Sequence, residues 1–251
     1  YILPEITAPL EIDGYSQPGS QSNTAISPNP LNGTLLIEID GTDAGSPAMS
    51  GFYLIDNVSN VTISGLIINR FTGSGVSITA GTSDVTIVGN YIGTDATGTV
   101  DLGNEKQGIS STLQIDNTGG PNNVTIGGTN PGDRNLISGN GDSSTFDSQG
   151  IAAGGSDWIV QGNYIGTDAT GTGALPNEAA GMTIDYMTNL LIGGDVVGAA
   201  NLVSGNGTGG AGPLQGGIQP DYSTKVNVIN NYIGTDYTGT QDLGNKAHGL
   251  A

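Results

Sequence analysis

The chain has 251 residues, 35% of them hydrophobic, with 44 glycines and a formal net charge of -18 from 23 acidic residues against 5 Lys plus Arg. That charge repels phosphate backbones and anionic membranes and makes cations the natural counterions, so nucleic acid is excluded as a partner. No cysteine is present, which removes disulfides, thiolate metal sites and thiol nucleophiles, and no apolar run approaches the roughly 18 residues of a membrane span.

In chain order, Leu10 to Asp13 and Leu35 to Asp40 read as strands on either side of a long turn around Tyr15 to Pro30. Short β-branched runs bounded by Gly, Asn or Asp follow: Val76 with Ile78, Val85 with Ile87, Val124 with Ile126, and Leu136 with Ile137. Alternation places Val76, Ile78, Val85 and Ile87 inward and Ser77, Thr79 and Thr86 outward. No apolar stripe is sustained long enough for a helix.

Two motifs alternate. NYIGTD loops open at Asn90, Asn163 and Asn231, 73 and 68 residues apart, and IGG-to-SGN loops begin at Asn123 and Asn189. Each leads into a Gly-apolar pair, at Gly108, Gly150, Gly181, Gly217 and Gly249. Repeats of this period are the signature of a solenoid. The expectation is an all-β, right-handed parallel β-helix of roughly seven or eight coils, one domain over 1–251. Residues 1–50 form its less regular N-terminal coils, and the chain reads as part of a longer polypeptide. A β-propeller competes less well, because its blades need four antiparallel strands joined by hairpins.

Asn90, Asn163 and Asn231, with Asn140 and Asn206, read as turn residues whose amides stack into ladders between coils. The TDxTGT segments read as Asx or ST turns. The alternative is calcium held by Asp95, Asp101, Asp168, Asp236 and Asp242, since a hard cation wants clustered oxygens; Ala174 stands where the second copy would need its Asp. Tyr91, Trp158, Tyr164 and Tyr232 read as wall packing or as a carbohydrate platform. No catalytic constellation is visible. Asp133, Asp195, Asp221 and Glu178 lie in unlike contexts, and His248 replaces Gln107 and Ala180 of the other repeats.

GNYIGTDATGTVDLGN, IGGTNPGDRNLISGN, LEIDGYSQPG, IEIDGTDAG and GLIINRF resemble the parallel β-helix repeats of large secreted or surface-anchored bacterial proteins. The resemblance implies a pectate-lyase-like superfamily fold without implying that activity, since the Asp pair, His and Arg-x-Lys of polygalacturonases are missing. The resulting expectation is a non-catalytic structural or adhesive module, extracellular or at the bacterial cell surface. Its partners would be extracellular polysaccharide or other copies and modules of a surface assembly. The alternative is a polysaccharide-binding or polysaccharide-degrading protein, a hydrolase or lyase using acidic wall residues.

Overall fold

A computed structural model describes residues 3–45, 48–55, 57–112, 119–142, 147–207 and 215–251. Its strands begin with β1 (Leu10–Asp13), β2 (Ile37–Asp40), β3 (Phe52–Leu54), β4 (Ser59–Ser64), β5 (Leu66–Asn69), β6 (Val76–Ile78) and β7 (Ser83–Val88). They continue with β8 (Tyr91–Ile92), β9 (Ile109–Ser111), β10 (Asn122–Gly127), β11 (Leu136–Ile137), β12 (Ile151–Gln161) and β13 (Tyr164–Ile165). The last are β14 (Met182–Gly193), β15 (Leu202–Val203), β16 (Gly216–Asp221), β17 (Thr224–Ile229), β18 (Tyr232–Ile233) and β19 (His248–Leu250).

The expected fold, and with it the family resemblance, is corrected by how these strands pair. The chain forms a curled 12-stranded sheet and a separate 7-stranded sheet, two unequal parallel sheets in place of the triangular three-sheet β-helix solenoid. The 7-stranded sheet runs β2-β5-β8-β11-β13-β15-β18, and every other named strand joins the larger one.

The cause is visible in two places. β12 and β14 run unbroken through a corner, so the strands on both flanks hydrogen-bond to the same two strands and merge into one sheet. After β8, β13 and β18 the NYIGTD loops add no strand to either sheet but fold back on themselves through the isolated antiparallel bridges Thr94–Asp101, Thr167–Ala174 and Thr235–Asp242. The structural or adhesive role and the polysaccharide alternative both rested on the three-sheet solenoid, and they fall with it.

Every pairing between named strands is parallel, and it joins successive passes of the chain, so side chains align in rows. Val61, Val85, Val124, Trp158, Leu190 and Val226 form one inward row, and Ile68, Ile92, Ile137, Ile165, Val203 and Ile233 face them from the smaller sheet. These rows belong to the main core. Val76, Ile78, Val85 and Ile87 point into it, whereas Ser77 and Thr79, expected outward, are each only 7% exposed.

A second cluster lies outside the smaller sheet: Tyr91, Leu136, Tyr164 and Leu202 in one register row, packed with Leu35, Ile67 and Ala169. Residues 14–33, which include the long turn expected around Tyr15 to Pro30, lie over it as a strap. Tyr15 donates its hydroxyl to the Gly89 carbonyl at 2.8 Å, Asn23 its amide to Pro131 at 2.7 Å, and Ser27 its hydroxyl to Ala200 at 2.6 Å.

Candidate functional site

The NYIGTD loops spend their oxygens internally. The Asp95 carboxylate accepts the Thr97 hydroxyl at 2.8 Å and the Thr99 and Val100 N–H groups at 3.1 Å. Asp168 accepts Thr170 at 2.6 Å, and Asp236 accepts Thr238 at 2.8 Å and the Thr240 N–H at 2.9 Å. Asp101 and Asp242 each take a glycine N–H two residues on, from Gly103 and Gly244. Burial raises the Asp95 pKa, but the Thr97 hydroxyl and the loop N–H donors outweigh it and leave the value lowered. Burial raises Asp101, against the Gly103 N–H.

Although the loops recur only on every second pass, Ala169 N–H bonds to Gly98 O at 2.9 Å and Tyr237 N–H to Gly171 O at 3.0 Å, so the three loops touch. That contact needs Gly98 at φ +66, where an added Cβ would meet the Ala169 methyl. Among the described residues no group of three or more His, Cys, Asp or Glu is placed to hold a metal.

The aromatic residues singled out in the sequence are not a surface platform. Trp158 is 1% exposed and donates to the Pro121 carbonyl at 3.2 Å, Tyr164 is 0% exposed, and Tyr91 is buried beside it. Tyr232 is half-buried against the same cluster. Arg134, 2% exposed, lies 4.8 Å from the Tyr164 ring centroid. It donates to Gly162 O at 2.9 Å, Ala25 O at 2.9 Å and Asn29 O at 2.8 Å, which fastens the strap to the column.

The five asparagines fall into two different amide ladders. Asn90, Asn135, Asn163, Asn201 and Asn231 form one, each amide donating to the next side-chain oxygen at 2.9 to 3.2 Å. Asn104, Asn140, Asn177, Asn206 and Asn245 form the other at 2.9 to 3.1 Å. Sequence reasoning missed five of the ten. Asn104, Asn177 and Asn245 close the three NYIGTD motifs, and Asn135 and Asn201 precede the Leu of NLISGN and NLVSGN, so the signal was in the repeats themselves.

The outer face of the larger sheet carries a row that the sequence did not single out. Glu11, Thr62, Thr86, Thr125, Ile159 and Leu191 are aligned by register across six strands, β1, β4, β7, β10, β12 and β14. Beside it run Asn60, Asp84, Asn123, Asp157, Asn189 and Lys225, all at positive φ between 52° and 65°, a conformation Asn and Asp tolerate best. Asn123 donates to Asp84 at 2.5 Å and Asn189 to Asp157 at 2.6 Å.

Glu11, Asn60, Thr62, Asp84, Thr86, Asn123 and Thr125 line a cleft of about 510 Å³. The hydroxyls of Thr62, Thr86 and Thr125 make no hydrogen bond among the described residues. The hydrogen bonds from Asn123 and Ser83 hold the Asp84 carboxyl below its ordinary value, so it is anionic at neutral pH. The signal was the recurrent Val-Thr-Ile after Asn60, Asp84 and Asn123.

No helix among the described residues is long and apolar enough to cross a membrane. No protein-family model matches the chain, and comparison with curated proteins finds no relative for it.

Proposed function

We propose that the chain is a recognition scaffold that binds an extended basic peptide segment, laid across the strands of the larger sheet along the row from Glu11 to Leu191. The observation that carries this reading is the row itself: three hydroxyls without partners among the described residues, in register, between a carboxylate at one end and exposed Ile159 and half-buried Leu191 at the other. At about 4.8 Å per strand, five steps span about 24 Å, the length of about seven extended residues. Hydroxyls both donate and accept, so they suit the alternating N–H and C=O groups of such a segment. Its basic end meets Glu11 and Asp84, and apolar side chains at the other end cover Ile159 and Leu191. Lys225 beyond Leu191 opposes the reverse orientation, and the net charge of -18 speeds encounter.

Fluorescence anisotropy with a labelled seven-residue peptide, lysine at one end and leucine at the other, tests the reading against the same peptide with glutamate for lysine. The basic peptide should bind, more weakly as salt rises, and Glu11→Gln should weaken it by about threefold or more. Equal affinity for the acidic peptide, or no effect of Glu11→Gln, would overturn the proposal.

A further inference from the structure

A second cleft, of about 580 Å³, opens on the other arm of the larger sheet, where β3, β6 and β9 lie side by side. Tyr53, Ser77 and Ser110 form its floor, aligned by register on three successive strands. Ser77 and Ser110 are each 7% exposed, and neither hydroxyl has a hydrogen-bond partner among the described residues, although both line the cleft. Both hydroxyls open into the cleft and are not sealed in the core, so they are available to bond a ligand there.

The walls carry both signs of charge and an apolar side. Lys106 stands 3.6 Å from Asp147, a long ion pair between partly exposed groups that a ligand can open. Gln107 accepts the Ser74 hydroxyl at 3.0 Å through Oε1, which leaves its NH2 group as a donor. Among the described residues the Glu5 carboxylate forms no ion pair or hydrogen bond. Leu3, Met49 and the ring of Tyr53 supply the apolar surface.

We propose that this cleft binds a short zwitterionic peptide of two or three residues with apolar side chains. Its carboxylate sits between Lys106 and the Ser77 and Ser110 hydroxyls, its ammonium group against Glu5 and Asp147, and its side chains on Tyr53 and Met49. A lone anion would be repelled by the two carboxylates and a lone cation would leave Lys106 unmet, whereas a zwitterion meets both signs of charge. The volume falls within the usual range of about 300–1,000 Å³ for small-ligand sites. The inference stands on this cleft alone and is independent of the Glu11–Leu191 row.

Isothermal titration with L-leucyl-L-leucine, its N-acetyl form and its C-terminal amide tests it, with the full chain as titrand. The free dipeptide should bind, and either cap should weaken it by about tenfold. Lys106→Met should remove the penalty of amidation but keep that of acetylation, and Ser110→Ala should weaken the free dipeptide by about threefold. Both substitutions lie on the cleft surface, and an unchanged circular dichroism spectrum certifies the fold. Absence of binding, or binding that survives either cap undiminished, would overturn the proposal.

Discussion

Asn163 sits in the middle of its ladder and holds five hydrogen bonds at once. Its oxygen accepts the Asn135 N–H and amide, and its own amide donates to Ile126 O, Gln161 O and Asn201 Oδ1. Asn163→Leu fills a similar volume but removes all five bonds and strands the buried Asn135 N–H, while Asn201 Oδ1 keeps the Asn163 backbone N–H, so urea denaturation should show a loss of about 2–4 kcal/mol. Asp95 gives the residue scale a pH signature. Its lowered folded value means that its stabilisation is complete above the unfolded value of about 3.9 and is lost as pH falls through the folded value. Asp95→Asn keeps the acceptor for Thr99 and Val100 but removes the titrating charge. The stability curve of that variant should therefore fall less steeply below pH about 4 than that of the parent chain.

At the scale of elements, Arg134 is one of the clamps on the strap 14–33, its guanidinium reaching two strap carbonyls and the Gly162 carbonyl beside the Tyr164 ring. Arg134→Lys cannot hold all three acceptors with the same fork. It should destabilise the chain by about 2–3 kcal/mol and make residues 14–33 the first site of limited proteolysis. Cleavage rates at the strap unchanged from the parent would contradict that role.

The short apolar alternations at residues 76–78 and 85–87, and the inward rows they join, were legible because a period of two fixes which face is buried. The joining of two flanks by β12 and β14 was not. IAAGGSDWIVQ contains two glycines, poor strand formers by themselves, yet Gly155 stays in the strand at φ +121, packed where a Cβ would strike the Pro121 carbonyl and opposite an extra residue on β14. Pairing on both sides overrides the local breaker there. TDxTGT was legible as a turn, but not that the turn closes on itself through a bridge and adds no strand to either sheet.

Across the whole molecule, the few cations are already committed in part: Arg70 pairs with Asp40 at 2.8 Å and Glu38 at 3.3 Å, Lys106 leans on Asp147, and Arg134 is buried. The acidic surface is thus left largely uncompensated, and a basic segment is its natural complement. The sequence showed that charge but not its placement, because Glu11 and the three threonines come together only through the register of passes separated by 24 to 51 residues. The most direct test is amide chemical-shift mapping by NMR as the basic seven-residue peptide is added. The largest changes are predicted at one residue per strand, at Glu11, Thr62, Thr86, Thr125, Ile159 and Leu191, crossing six strands in a line. Changes confined to consecutive residues of a single strand, or scattered over all the acidic loops alike, would contradict the account.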